Sequence, residues 1–233
     1  AKAGALGRKA AKACGVPVIV HTYHGHVFHS YFGKYKTKLY KLIERRLAKK
    51  SDGIIAISPL QKDELVKQHH ICEAEKVKVI PLGFDLGQFQ EQLSEKRTAT
   101  RKAYHLDDET VAVAIVGRLA PIKNHNLFLA AVEEILKAGI QARFFIVGDG
   151  MEREKIATIV HRLNETYGYS IEMTSWIKDI AQFNAGMDII CLTSDNEGTP
   201  VSLIEAQACN IPVISTDVGG VKDIVLEGET GFV

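Results

Sequence analysis

The amino-acid sequence predicts an α/β protein whose parallel sheets are covered by helices, and three observations support this class. Short apolar runs rich in β-branched residues alternate with helical patterns along most of the chain, as in repeated β–α units. The 233 residues are enough for one large or two smaller domains. Hydrophobic residues make up 46% and charged residues 24%, which is typical of folded proteins and excludes disorder.

The first part of the chain predicts three strands separated by helices. A helix is expected up to Ala13, and a second has apolar residues at helical spacing over residues 35–50. Ser58 is expected to cap a third helix, because Pro59 follows it and Gln61 lies three residues on. The predicted strands are 16–22, 53–57 and 77–82.

A polar stretch over residues 83–108 separates this part from the second, and it predicts a connection plus one amphipathic helix. We therefore expect two domains, residues 1–90 and 91–233. The second resembles a doubly wound domain. Its predicted strands are 111–116, 143–147, 171–173, 189–193 and 212–215, and its predicted helices are 126–137, 152–167, 180–184 and 200–208.

Charge and apolar patterning exclude several partners. The net charge of +1 gives no overall attraction to nucleic acid, and no apolar run is long enough to span a membrane. Residues 1–12 lack the apolar core of a secretory leader, so a cytoplasmic protein is expected, with Cys14, Cys72, Cys191 and Cys209 as reduced core residues. The chain starts inside a helical pattern and stops as a strand begins, which predicts a fragment.

The turn after strand 111–116 carries a candidate phosphate site. Arg118 and Lys123 lie in one turn just before a helix, where a guanidinium, an ammonium and the helix dipole attract anionic oxygens. Two solvated loop cations are an equally good interpretation of this turn taken alone.

A second candidate turn follows strand 189–193. Gly198 permits close approach of a ligand to the backbone, Pro200 suits the first turn of a helix, and the free amides around Thr199 to Ser202 can bind anionic oxygens. Glu197 and Glu205 can accept hydrogen bonds from sugar or ribose hydroxyls. Alternatively, Glu197 could only interact with the helix dipole, and Glu205 could be a surface residue. The apolar neighbours of Glu205 in the sequence disfavour a solvated position for it.

Two further features of the sequence give weaker indications of a binding site. The turn at 148–153 lacks the third glycine of a dinucleotide fingerprint, so it is interpreted as a tight turn. Four histidines crowd one strand end, but no metal signature accompanies them, and one of them could instead face a cleft and donate to a phosphate or a hydroxyl. They are His21, His24, His26 and His29.

Taken in order, these segments resemble the motifs of the group 1, or family 4, glycosyltransferases. The resemblance covers essentially the whole chain, and the order and spacing of the motifs make it far more specific than any one turn. In the second part it rests on residues 116–119 with 123–124, 147–150, 175–179, 197–200 with 205–206, 212–214, 218–220 and 231–233. In the first part it rests on residues 22–25, 52–58 and 79–85.

The resemblance implies the GT-B architecture, with two Rossmann-like doubly wound domains of which the first is incomplete. Residues 1–90 would be the end of the acceptor-side domain and the interdomain connection, and residues 91–233 the donor-binding domain. It implies transfer of a sugar, with retention, from a nucleotide diphosphate sugar to a saccharide or lipid-linked acceptor. UDP is favoured over GDP, and no metal or other cofactor is expected.

The same resemblance assigns roles to residues. Arg118 and Lys123 would neutralise the diphosphate, Trp176 and Ile177 would contact the base, and Glu205 would accept from ribose. The implied catalytic residues are His24, Arg118, Lys123 and Glu197. The implied donor-binding residues are Arg118, Lys123, Trp176, Ile177, Glu197, Gly198, Thr199, Pro200, Val201 and Glu205.

Two other functions stay open at this point, a nucleotide-sugar epimerase and a non-catalytic nucleotide-sugar binding module. An epimerase would release nucleotide and epimerised sugar without an acceptor, so its products separate it from a transferase. A peripheral membrane contact is expected only through an N-terminal part outside this chain.

Overall fold

The computed structural model describes residues 2–25 and 33–233, which divide into two units. The first runs to Gly83 and includes Asn196–Thr199, and the second contains Phe84–Asp195 and Pro200–Val233. The boundary lies at residue 83 rather than at the predicted residue 90. The reason is that Leu86 and Phe89 pack into the hydrophobic core of the second unit.

The first unit contains a parallel sheet with the order β1-β2-β3. Its core packs Tyr23, Leu65 and Val77 between this sheet and the helices. The strands are β1 (Val20–Tyr23), β2 (Gly53–Ala56) and β3 (Val77–Val79). The helices are α1 (Lys2–Ala13), α2 (Lys34–Ala48) and α3 (Pro59–Asp63), with a π-helical turn at Glu64–Gln68 and a 3-10 turn at Ala74–Lys76.

Strands β1 and β3 are shorter than the sequence predicts, because β2 is short. Its first residue, Gly53, pairs with Val20, so the described pairing of β1 begins at Val20 and not at Val16. At the other end, β2 stops at Ala56, whose carbonyl accepts from the Ile80 amide. Strand β3 ends next to this hydrogen bond, at Val79. The length of a strand is therefore decided here by its partner.

The predicted cap of α3 is confirmed. The Ser58 hydroxyl accepts from the Gln61 amide at 3.1 Å, and Pro59 occupies the first helical position. The Gln61 side chain in turn accepts from the Ile57 amide at 3.0 Å, so this short helix begins with its free amides satisfied.

A buried ion pair joins α1 to α2. Arg8 donates to the Glu44 carboxylate at 2.6 Å, and the Tyr23 hydroxyl donates to the same oxygen at 2.7 Å. Beside it, β1 is the edge strand of the described sheet, and a cavity of about 310 Å³ is lined by residues of α1 and β1. Arg8 lines this cavity, and its Nη1 atom has no hydrogen-bond partner among the residues that the structure describes.

The second unit is built on a six-stranded parallel sheet with the order β6-β5-β4-β7-β8-β9. Its strands are β4 (Val111–Val116), β5 (Ala142–Val147), β6 (Ile171–Thr174), β7 (Ile189–Leu192), β8 (Val213–Ser215) and β9 (Gly231–Phe232). Its helices are α4 (Gly87–Gln90), α5 (Leu93–Ala103), α6 (His125–Lys137), α7 (Arg153–Tyr167), α8 (Ile180–Ala185) and α9 (Val201–Ala208). The predicted doubly wound arrangement is confirmed, with β4 at the predicted residues.

Both faces of the second sheet are buried, as the apolar run of β4 predicts. Ala112 and Ala114 face one core, whereas Val113 and Ile115 face the other. This alternation follows from the period of two along a strand. The sheet therefore lies between two hydrophobic layers.

No helix among residues 2–25 and 33–233 is long and apolar enough to cross a membrane. The four cysteines are free, but they are not all core residues: Cys209 is buried, Cys72 and Cys191 are partly buried, and Cys14 is exposed. Cys14 is exposed because it lies just after the end of α1.

A network of charges fixes α5 to the rest of the second unit. Asp188 accepts from Arg97 at 2.7 Å, from the buried Arg101 at 3.1 Å and from the Ala112 amide at 2.8 Å. Burial alone would raise the pKa of Asp188, but the amide and the two guanidinium groups outweigh it and hold this pKa below its ordinary value. The ionised carboxylate is therefore the form that stabilises the unit.

We expect Asp188→Asn to destabilise the second unit by about 2–3 kcal/mol, because Arg101 would keep a buried, unbalanced charge. The contribution of Asp188 is complete above the ordinary carboxyl pKa and is lost as pH falls through the lowered pKa. The variant should lack this acid-dependent loss. Urea unfolding followed by the fluorescence of Trp176, the single tryptophan, measures both effects.

Glu133→Gln is the matched control, because Glu133 pairs with the exposed Arg162 on the same unit. Its unfolding midpoint should stay close to that of the unchanged protein. Equal midpoints for the two variants would contradict the assigned role of Asp188.

Candidate functional site

The second sheet changes its direction of growth at one position. From the central strand β4 the chain adds β5 and β6 on one side, then returns to add β7, β8 and β9 on the other. In doubly wound sheets, ligands bind outside the carboxyl ends of the two strands at such a switch point. The turns after β4 and β7 therefore mark the candidate site, and both carry residues that the sequence predicts.

The turn after β4 exposes one predicted cation and partly buries the other. Leu119 is fully buried and anchors the turn, while Arg118 beside it is exposed. The side chain of Lys123 lies over Gly117, since a Cβ at that glycine would be 3.9 Å from the Lys123 Cε atom. Both predicted cations are thus in the turn at the carboxyl end of β4.

Hydrogen bonds join this turn to the one after β7. The Asn124 side chain donates to Asp195 at 2.9 Å, and the Asp195 amide donates to the Ile122 carbonyl at 2.9 Å. The Thr193 hydroxyl contacts the Lys123 carbonyl at 3.2 Å. Asn124 also adopts a left-handed conformation and caps α6. The backbone that carries Lys123 is consequently held in place from across the switch point.

The turn after β5 packs directly on the turn after β4. A Cβ at Gly148 would lie 2.0 Å from the Gly117 carbonyl oxygen, and one at Gly150 would lie 2.3 Å from the Leu119 carbonyl oxygen. Both glycines have positive φ angles, 140° and 158°. The prediction of a tight turn here agrees with this geometry, and the glycines permit backbone contact between the two turns.

The two predicted base-contact residues follow β6. Trp176 is 59% exposed, and its Cη2 atom would be 3.6 Å from a Cβ at Gly148. Ile177 is partly buried against the core. Asp179 caps α8 by accepting from the Gln182 amide at 2.9 Å. An exposed indole held beside the turn after β5 offers a flat apolar surface at the same sheet edge as Arg118.

Helix α9 brings two more predicted residues to this unit. Pro200 is buried immediately before the helix, and the first amides of the helix, including that of Val201, have no carbonyl partner within it. Glu205 is half-buried, and burial raises its pKa. The interpretation of Glu205 as a fully solvated surface residue is therefore wrong.

The other predicted residues lie in the first unit. Glu197, Gly198 and Thr199 belong to the segment grouped with it, and His24 follows β1 and is exposed. A Cβ at Gly198 would lie 2.6 Å from the His24 carbonyl oxygen. The structure thus brings Gly198 to the backbone of His24.

The histidines behave differently from one another. His21 packs against Gly4 of α1, and its pKa is lowered to about 4, chiefly by burial and by the nearby Arg8. His26 and His29 lie outside the described residues. Among residues 2–25 and 33–233, no three His, Cys, Asp or Glu side chains are grouped as metal ligands.

The sequence analysis missed one residue beside the site. His125, the first residue of α6, is 1% exposed, and within residues 2–25 and 33–233 neither of its ring nitrogens has a hydrogen-bond partner. Burial lowers its pKa to about 4, so the ring is neutral near pH 7. In the sequence, the only indication of this residue was its position directly after Lys123 and Asn124.

The chain is similar to two known protein families along most of its length. Residues 110–233 match the family described as "Glycosyl transferases group 1", and residues 1–88 match "Glycosyltransferase Family 4". The chain is 31% identical over 241 residues to the UDP-Gal:alpha-D-GlcNAc-diphosphoundecaprenol alpha-1,3-galactosyltransferase of Escherichia coli, and covers 59% of that protein. It is 30% identical over 196 residues to the D-inositol 3-phosphate glycosyltransferase of Segniliparus rotundus, and covers 42%.

These alignments include 99% and 81% of the present chain, which thus spans about half the length of these relatives. Among solved structures, the chain is similar to Anabaena Alr3699/HepE in complex with UDP and glucose. The TM-score is 0.83 at 22% identity, with 99% of this chain and 61% of that chain covered. The predicted GT-B fold class is confirmed.

We expect Gly148→Ala to force the turns after β4 and β5 apart, because the new methyl group would overlap the Gly117 carbonyl oxygen. Overpacking of this kind should cost about 2 kcal/mol of stability. It should also shift the emission of Trp176, which lies against Gly148. Urea unfolding and the emission spectrum of the folded protein measure the two effects.

Gly139→Ala provides the control, because Gly139 also has a positive φ, 72°, but a Cβ there would meet no atom within 4 Å. It should show backbone strain without a change in Trp176 emission. If both variants leave the emission unchanged, the contact between Trp176 and Gly148 is not present in solution.

Proposed function

The chain belongs to the group 1 glycosyl transferases, and from this we propose that its second unit binds a nucleotide diphosphate sugar at the switch point between β4 and β7. The observation that carries the proposal is the position of four residues of the second unit: Arg118 and Lys123 follow β4, Trp176 follows β6, and Glu205 lies on the helix after β7. Bound there, the donor would give its sugar to an acceptor.

Arg118 and Lys123 bind the diphosphate in this proposal. Charge accumulates on the diphosphate as its bond to the sugar breaks, so fixed cations stabilise the transition state more than the ground state. The hydrogen bonds from the turn after β7 hold the Lys123 backbone before the donor arrives. Less reorganisation is then needed during the reaction.

The nucleoside is held by groups of different character. Trp176 and Ile177 contact the base through apolar surface, and the ionised Glu205 accepts from the ribose hydroxyls. The amides at the start of α9, beside Gly198, Thr199, Pro200 and Val201, bind donor oxygens. We propose uridine as the base. The names of the E. coli relative, with UDP-Gal, and of the Anabaena complex, with UDP, support this choice.

In the same proposal Glu197 holds hydroxyls of the donor sugar and His24 lies beside the transferred sugar. Transfer proceeds with retention, without an obligatory metal, to a saccharide or lipid-linked acceptor. A lipid-linked acceptor is consistent with the diphosphoundecaprenol in the name of the E. coli relative.

We expect the chain to bind UDP more tightly than GDP or ADP in calorimetric titrations. Arg118→Ala and Lys123→Ala should each weaken UDP binding at least tenfold, because each removes a charge-assisted contact to the diphosphate. Binding of uridine, which has no phosphate, should be unaffected by either change. Lys102→Ala removes an exposed cation elsewhere on the second unit and serves as the control.

Equal weakening of UDP and uridine binding would contradict the assigned phosphate contacts. In the protein that contains this chain, the same two substitutions should abolish sugar transfer to an acceptor. Epimerised sugar released without an acceptor, or tight donor binding with no transfer to any acceptor, would overturn the proposed activity.

We expect UDP affinity to fall on acidification at a higher pH than an ordinary glutamate would give. Burial raises the pKa of Glu205, and only the ionised form accepts from both ribose hydroxyls. As pH drops through this raised pKa, the contact is lost. Glu205→Gln should bind UDP about tenfold more weakly near pH 7 and should lack the acid-dependent loss. An unchanged pH profile would contradict the role of Glu205.

A further inference from the structure

The turn after β5 ends in an arginine that the proposed donor site does not use. Arg153 is the first residue of α7. The dipole of a helix favours an acidic side chain at this end and disfavours a cation. The stability of α7 therefore does not explain why an arginine occupies this position.

The contacts of the Arg153 guanidinium group are long. Its Nη1 atom lies 3.5 Å from the Gly148 carbonyl oxygen, 3.5 Å from the Thr174 carbonyl oxygen and 4.0 Å from the Asp149 carboxylate. Charge-assisted hydrogen bonds are normally about 2.7–2.9 Å long. These contacts place the guanidinium group between the ends of β5 and β6, but they use little of its capacity to donate.

The rest of the group is available to a ligand. Within residues 2–25 and 33–233, the Nε and Nη2 atoms of Arg153 have no hydrogen-bond or ion-pair partner. The side chain is 41% exposed. A guanidinium group is a rigid, planar fork of donors with no acceptor, so it recognises oxygen acceptors in a defined geometry.

The guanidinium group lies beside the candidate base-contact residue. The exposed Trp176 also packs at Gly148, because its Cη2 atom would be 3.6 Å from a Cβ there. Arg153 and Trp176 therefore contact the same glycine at the carboxyl end of β5. An aromatic ring can stack on the face of any base, whereas a fork of donors distinguishes bases by the groups on their edges.

We propose that Arg153 is a specificity-determining residue that donates to the O4 carbonyl of uracil and thereby selects UDP over CDP. Uracil presents an oxygen acceptor at this position, whereas cytosine presents an amino group, which is a donor. In a CDP complex two donors would face each other, and the unpaired groups would reduce affinity. This inference rests on the proposed donor site of the second unit and extends it to the choice of base.

The test compares UDP and CDP in calorimetric titrations of the unchanged chain and of Arg153→Met. The unchanged chain should prefer UDP at least tenfold. Arg153→Met should bind UDP about tenfold more weakly and CDP about equally well, so the preference should nearly disappear. The four affinities form a double-mutant cycle between the side chain and the base.

A third ligand, 4-thio-UDP, assigns the contact to one position of the base. It keeps the N3–H donor of uracil but carries sulfur, a weaker acceptor, in place of O4. The unchanged chain should bind it about fivefold more weakly than UDP. Arg153→Met should bind the two ligands alike.

Arg162→Met is the matched control, because Arg162 is another exposed arginine of α7 and pairs with Glu133. It removes the same charge from the same helix and should leave the affinities for UDP and CDP unchanged. Circular dichroism verifies that each variant is folded. The emission of Trp176 reports whether the turn after β5 keeps its arrangement.

Two results would overturn this inference while the donor site stands. Equal weakening of UDP and CDP by Arg153→Met would indicate a general effect on the charge or the shape of the turn. A preference for UDP that persists in Arg153→Met would place the choice of base elsewhere. If the folded, unchanged chain binds neither nucleotide, the proposed donor site itself is wrong, and this inference fails with it.

Discussion

The contact between the turns after β4 and β5 is made by backbone atoms, and the geometry of the candidate site depends on it. The Gly117 amide donates to the Val147 carbonyl, and the Leu119 amide donates to the Asp149 carbonyl. No side chain fits between them at Gly148 or Gly150. Because Arg118 lies between these two hydrogen bonds, the backbone beneath its guanidinium is fixed by glycines on the neighbouring turn. The Arg118 side chain itself has little part in this placement.

The family, the fold class and most strands of the second unit could be predicted from sequence, because a buried parallel strand is a continuous apolar run with clear ends. β4 is the clearest example. In the first unit, the same pattern predicted that β1 begins at Val16, whereas its pairing begins at Val20. The start of β1 is set by pairing with β2, which is distant in sequence, so the local pattern could not predict it. Helix α4 was not predicted, because it lies in a mostly polar segment. Its residue Phe89 is buried and packs in the hydrophobic core.

For the site, the residue types and their spacing predicted which turns to consider, and the structure adds how they are supported. The bond from Asn124 to Asp195 joins residues that are 71 positions apart, which no local pattern reveals. The isolated ring of His125 could not be predicted either, because burial is a property of the packed α6 and its surroundings.

The edge strand β1 has a practical consequence for handling this chain. Val18, just before it, and Val20, its first residue, are more than half exposed, and an edge strand offers its outer backbone groups for pairing. An uncovered edge of this kind is a template on which another polypeptide can add a strand. In concentrated preparations the chain would therefore tend to form aggregates rich in intermolecular β-structure.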